Sequence, residues 1–298
     1  MEEKYLHRPV LLREVIDYLN LAPGKVIIDA TIGGGGHAEE ILPKIIPAGF
    51  LIGIDRDSES LEIASRKLEC FQGSFKLVNK NFRYIKDILK DLGVKEADGI
   101  LFDLGISSIQ MESAGRGFSI KNNGPLDMRM DKSQSLSAKG LVDSLREEEL
   151  SDLIRDFGEE RFHRKIARKI VEERRKRRIS TTQELAEIIS NCIPSKNKRC
   201  KIHPATRTFQ AFRIRVNDEL DSIEEALRDA PNVLKRGGRL CVISFHSLED
   251  RIAKNILREY KTKGIFNILT KKPIVPKEDE ILVNPRSRSA KLRVGEKL

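Results

Sequence analysis

Tryptophan is absent, and all aromatic residues together make up 5% of the 298 positions. Extended base stacking would therefore rest on a few phenylalanines such as Phe118 and Phe245. Four cysteines, Cys70, Cys192, Cys200 and Cys241, form neither a CxxC pair nor a dense framework. That sparseness excludes a disulfide scaffold and agrees with a reducing compartment. Cys192, Cys200 and His203 lack a fourth ligand at a zinc-finger spacing, so no metal is expected. No run approaches the roughly 18 uncharged apolar residues of a membrane span. The Met-Glu-Glu-Lys opening lacks the basic-then-apolar pattern of a secretory signal, and a cytoplasmic location is expected.

Charge is plentiful: Lys and Arg exceed Asp and Glu by ten, and 34% of residues are charged. The excess is local. Glu159 to Arg215 holds seventeen Lys/Arg against six Asp/Glu, and Arg174-Arg-Lys-Arg-Arg178 contains no acid. This segment is either a polyanion-binding surface or a solvated, ion-paired helix face.

The first hundred residues alternate short apolar runs with amphipathic stretches. Val26–Ala30, Phe50–Ile54, Phe75–Val78 and Gly99–Asp103 read as buried strands, with helical patterns such as Ser58–Leu68 between them. This rhythm predicts a parallel α/β sheet. It then stops, and Ser137–Phe157, Glu159–Arg177 and Thr182–Ile193 follow as helical runs. It resumes with a helical pattern over Thr206–Leu234, broken before Pro231, a strand at Arg239–Ser244, a helix at Leu248–Tyr260, and final strands at Asn267–Val275 and Ala290–Val294. The expected organisation is a sheet domain from 1–108 and 204–298, interrupted by an inserted helical substrate-recognition domain from 109–203.

The sharpest local feature is Asp29-Ala-Thr-Ile-Gly-Gly-Gly-Gly-His37, where the first strand gives way to a helix. Glycines there let a ligand approach the backbone, and the helix N-terminus offers unpaired N–H groups. Gly33, Gly35 and Ala38 fit G-x-G-x-x-[GA], and Asp55 ends the second strand where it can accept hydrogen bonds from a ribose. Asp29 and Asp103 also end strands. Three carboxylates at strand ends suit a cofactor with ammonium and sulfonium charges, S-adenosylmethionine, better than a dinucleotide pyrophosphate. Asp103-Leu-Gly-Ile-Ser-Ser-Ile-Gln110 and Ser244-Phe-His-Ser247 lie at the carboxyl ends of strands, which makes Asp103, Ser107, Ser108 and His246 catalytic candidates.

Nine tracts, HRPVLLREV (7–15), DATIGGGGH (29–37), GIDRD (53–57), DLGISSIQ (103–110), RGFS (116–119), GPLDMRMD (124–131), HPATRTFQAFRIRVN (203–217), GGRLCVISFHSLEDR (237–251) and NPRSRSAKLR (284–293), resemble the RsmH family, formerly called MraW. The resemblance covers essentially the whole chain. It implies a class I methyltransferase, Rossmann-like sheet with an inserted helical subdomain, and N4-methylation of a cytosine in the decoding region of 16S ribosomal RNA, within the small ribosomal subunit. It also implies a cofactor site made by Gly35, Gly36, His37, Asp55, Phe82, Asp103 and Gln110, to which the residues themselves add Asp29 and Gly33. Thr31 stands where many methyltransferases carry a first glycine, and Asp-Leu-Gly replaces the Pro-Pro-aromatic tetrapeptide of other amino-methylating enzymes.

An exocyclic amine is a poor nucleophile because its lone pair is delocalised into the ring, so it must be held in line with the methyl group and its N–H groups must be accepted. Asp103, Ser107 or Ser108 fits that task. Carbon-5 methylation would need a thiolate, and the cysteines lie outside the catalytic loops. Arg174, Arg175, Arg177, Arg178, Arg207, Arg213, Arg286 and Arg288 are the expected RNA-binding residues. The alternatives are an NAD-dependent oxidoreductase on the same glycine loop and a non-enzymatic RNA-binding assembly factor.

Overall fold

The computed structural model describes residues 9–194 and 203–298. Residues 7 and 8 of the first tract and Cys200 lie outside them. The chain divides into two compact units, Met1–Gly105 with Leu220–Leu298, and Ile106–Glu219.

The first unit is built on seven strands: β1 (Val26–Asp29), β2 (Phe50–Asp55), β3 (Phe75–Asn79), β4 (Ala97–Asp103), β5 (Leu234–Ser244), β6 (Phe266–Ile268) and β7 (Lys291–Lys297). Their order across the sheet is β3-β2-β1-β4-β5-β7-β6, parallel except for β7, which runs antiparallel to both its neighbours. This is a Rossmann-like, mostly parallel sheet, as the alternating rhythm of the sequence predicts. The strands read as unbroken apolar runs because helices cover both faces. Ile28, Ile52, Ile100, Phe102 and Val242 belong to one core with Ile88, Leu227 and Ile256, while Ile27, Leu51, Leu101 and Ile243 belong to another with Val15, Ile41 and Leu61. β1 pairs with β2 on one side and β4 on the other, so the chain reverses direction across the sheet at these strands. Ligands of open α/β sheets bind beyond the carboxyl ends at such a point.

The helices that cover this sheet are α1 (Leu12–Leu19), α2 (Gly36–Ile45), α3 (Ser58–Lys67) and α4 (Ile85–Asp91), which come before the second unit. That unit holds α5 (Ser108–Glu112), α6 (Ala138–Ser144), α7 (Glu147–Gly158), α8 (His163–Lys176), α9 (Thr182–Cys192) and α10 (Thr206–Asn217). The chain then returns through α11 (Glu219–Val233), α12 (Ser247–Thr262) and α13 (Glu278–Val283). Ile154, Ile166, Ile170, Ile189, Phe209 and Phe212 share one core, which is why α10 belongs with the helices and not with the sheet domain to which its position after residue 204 assigned it.

Two further expectations are corrected. The helical pattern over Thr206–Leu234 breaks at Asp218, in the left-handed region at φ 50°, and α11 runs on through Pro231. Pro231 has no N–H for the Leu227 carbonyl four residues back. The Tyr260 hydroxyl reaches that carbonyl at 3.4 Å and donates to Arg228 O at 2.9 Å. The strand expected over Asn267–Val275 is only three residues long. Thr270 Oγ1 accepts the Val294 N–H at 2.9 Å in place of a backbone carbonyl, and Pro273 and Pro276 have no N–H for a ladder.

Candidate active site

Asp29, Asp55 and Asp103 end β1, β2 and β4, as their positions after apolar runs foretold. Asp29 is buried and accepts the Thr31 N–H at 3.2 Å; burial and the neighbouring Asp55 push its carboxyl up to about 7. Asp55 is aimed by two backbone donors: Gly33 N–H to Oδ2 and Asp57 N–H to Oδ1, each at 2.9 Å. Burial raises Asp55 to about 6 in spite of those bonds. Asp103 lies well above the ordinary carboxylate value, through burial first and then through Asp29 and Glu249. Its Oδ1 is buried and accepts no hydrogen bond.

The glycine loop is shaped by this arrangement. Gly35 caps α2 at φ 82°, a backbone that L side chains rarely adopt, and Gly36 and His37 open the helix. In β2, a Cβ at Gly53 would come within 2.2 Å of Ile32 Cδ1, so glycine lets the loop press onto the strand. Thr31 has a function that glycine could not serve: its Oγ1 accepts the Asp103 N–H at 2.6 Å and ties the β1 turn to the end of β4. His37 is buried, with Nε2 3.1 Å from Val10 O and Nδ1 3.6 Å from Asp103 Oδ2. Phe82 meets Phe102 edge-on at 5.6 Å, and Asn81 fixes its turn by accepting the Arg83 N–H and donating to Ser222 Oγ.

His246 is the N-cap of α12. Its Nδ1 lies 3.5 Å from the Glu249 N–H and its Nε2 3.1 Å from Glu249 Oε1, so both ring nitrogens face the first turn of its own helix. Glu249 is fully buried, and its Oε2 accepts the N–H groups of Phe245 at 2.7 Å and His246 at 3.2 Å. Sequence reasoning missed Glu249, although an acid three residues after a cap is a capping-box signal. Its negative charge beside Asp103 makes it part of the site's electrostatics.

In the second unit, Ser107 caps α5 and forms a reciprocal pair with Gln110: Ser107 Oγ accepts the Gln110 N–H and Gln110 Oε1 accepts the Ser107 N–H, each at 3.2 Å. Ser108 is the first residue of that helix and is half-buried. Arg116 of the RGFS tract is buried and donates to Arg129 O and Met130 O, while Asn217 bonds Met130 N–H, Met128 O and Arg213 O. These tracts knit a long loop.

The arginines divide into two groups. Arg174 Nη1 donates to Val142 O at 2.6 Å and Leu145 O at 2.7 Å, Arg207 donates to Glu159 O at 3.0 Å, and Arg213 forks onto Glu219 at 2.8 and 2.9 Å. In the structure these three side chains tie segments of the chain together. The basic run is also partly paired from outside itself, Lys176 with Glu173 and Arg177 with Glu184. Arg175 and Arg178 are exposed without an ion pair among the described residues, as are Arg164 and Lys165. Arg286 and Arg288 are exposed on the turn before β7.

The donor set at the strand ends fits S-adenosylmethionine: an aimed carboxylate for a ribose, a buried acid at the glycine turn, and an unpartnered buried oxygen at Asp103. The model of the MraW methylase family matches residues 4–298. "Ribosomal RNA small subunit methyltransferase H" of Persephonella marina is 50% identical over 98% of this chain and 99% of its own length. The proteins of the same name from Brevibacillus brevis and Clostridioides difficile are 47% and 44% identical, with at least 98% of each chain covered. The chain belongs to the MraW methylase family, a family of S-adenosylmethionine-dependent methyltransferases.

Proposed function

We propose that this protein methylates N4 of a cytosine in the decoding region of 16S ribosomal RNA, acting on the small ribosomal subunit in the cytoplasm. The observation that carries this reading is Asp103: a strand-end carboxylate at the switch point of the sheet, with one buried oxygen left to accept an N–H. S-adenosylmethionine, when bound, supplies an electrophilic methyl group. Asp55 would hold the ribose, Asp29 the cationic amino-acid end, and Gly33, Gly35 and Gly36 leave room beside the loop. Phe82 would pack near the adenine, and Asp103 would orient the exocyclic amine.

A thiolate route to carbon-5 finds no support among the described cysteines. Cys241 is fully buried in β5 with its thiol pushed up to about 12, Cys192 is buried and raised as well, and Cys70 lies in the turn after α3. The helical unit would supply the RNA-binding surface through Arg175, Arg178 and their neighbours on α8. No helix among the described residues is long and apolar enough to cross a membrane.

The test is methyl transfer by the purified protein to small subunits and to free 16S RNA, followed by nucleoside mass spectrometry. N4-methylcytosine is expected. Carbon-5 methylcytosine, or a methylated base outside the decoding region, would refute the proposal.

A further inference from the structure

Resting on the N4 reading, we infer that His37 and Asp103 act as one proton-sharing pair, with His37 as the positioning residue that keeps Asp103 Oδ1 as the acceptor of the amine proton. His37 Nε2 lies 3.1 Å from Val10 O. A carbonyl can only accept, so that nitrogen carries a hydrogen. The tautomer is thereby set, and Nδ1 is turned toward Asp103 Oδ2 at 3.6 Å. With no proton between them, two lone pairs would face each other beside further negative charge. One shared proton removes that conflict, whether it resides on nitrogen or on oxygen. Thr31 Oγ1 fixes the Asp103 backbone by accepting its N–H, His37 faces carboxylate Oδ2, and Oδ1 is left buried without a partner.

Among the described residues, the ionisable groups around the pair come from several elements. Asp29 ends β1 with Asp55 beside it, Glu249 lies in α12 with His246 against it, and His37 comes from α2. The neighbouring acids make a negative charge on Asp103 costly, and burial of the carboxyl acts in the same direction. A single proton on the pair answers both. In the transfer, the amine nitrogen gains the methyl carbon, the electron pair of the broken carbon–sulfur bond stays on sulfur, and one amine proton passes to Asp103 Oδ1. The pair then returns one proton to water.

The first test needs no RNA. In the full-length protein labelled with ¹⁵N-histidine, His37 should show the Nε2–H tautomer when neutral, and Asp103→Asn should lower its titration midpoint by about one pH unit or more by removing the nearest anion. The second is the pH–rate profile at saturating S-adenosylmethionine. His37→Gln should lower kcat by about tenfold and move the acid limb to higher pH, because Asp103 then takes up its proton without a cationic neighbour. Asp103→Asn keeps the shape of the side chain and guards against a His37 variant that fails to fold. An unchanged His37 titration in Asp103→Asn, or a slower His37→Gln enzyme with an unshifted profile, overturns the pair. If the wild type makes a base other than N4-methylcytosine, the acceptor role falls with the functional reading. The NMR titration, read without RNA, tells that failure apart from an absent pair.

Discussion

At Asp55, backbone N–H groups take up one lone pair on each carboxylate oxygen, so the side chain is aimed and still has acceptor capacity. Asp55→Ala should weaken S-adenosylmethionine binding by about 1.5–3 kcal/mol, the range for hydrogen bonds to a charged group. Calorimetric titration of the folded variant checks this, and an unchanged affinity would remove Asp55 from the site. Asp29 gives a stability prediction whose sign follows from its raised carboxyl. A group at 3.8 when unfolded and about 7 when folded contributes stability that is fully present below the lower value and is lost as pH rises through the upper one. Asp29→Asn keeps an acceptor for the Thr31 N–H and cannot ionise. Between pH 5 and pH 8 its stability relative to wild type should rise by about 2–3 kcal/mol in denaturant titrations without cofactor. A constant difference across that range would show that Asp29 is ionised at little cost.

Among the elements, α8 combines two functions that its composition does not separate. Ile166, Ala167, Ile170 and Val171 are buried, so the apolar face was legible from spacing alone. The basic residues on the remaining surface look equivalent in sequence, yet Arg174 donates to the carbonyls of Val142 and Leu145 around the end of α6, where C-terminal carbonyls lack helical partners. Arg174→Gln should therefore destabilise the protein by about 1–3 kcal/mol, seen in the denaturant midpoint, and leave the salt slope of RNA binding little changed. Stability equal to wild type would show that those bonds are replaced by water. The capping pairs behave similarly: Ser107 with Gln110, and His246 with Glu249, are helix starts first, whatever else they touch.

Over the whole molecule, the net charge of +10 is concentrated in one segment, and its exposed cations are those available to phosphate. Arg164 and Arg175 are eleven positions apart, close to three helical turns, and project from the same side of α8, with Arg178 just beyond its end. Changing these three to Gln should weaken RNA binding and flatten its dependence on salt by about two to three phosphate contacts' worth of counterion release. Cofactor affinity should be unaltered. Filter binding across a salt series decides this, and an unaltered slope would transfer the RNA contact to Arg286 and Arg288.

Sequence by itself determined the sheet, because strands buried on both faces must be apolar throughout and the helices between them must alternate. It also placed Asp29, Asp55 and Asp103 at strand ends, since each follows such a run directly. The glycine loop was legible for the same reason: a backbone at φ 82° selects its residue. What only the tertiary structure decided depends on partners far apart in the chain. Thr31 meets Asp103 across 72 positions, His37 meets Val10 and Asp103, and Arg174 reaches back 32 residues to Val142. Glu249 acquires its influence on Asp103 only when β5 is placed beside β4. Local pattern reports which face a residue is on and how its backbone turns; the polar partner it meets there is set by the packing of distant segments, which no local spacing records.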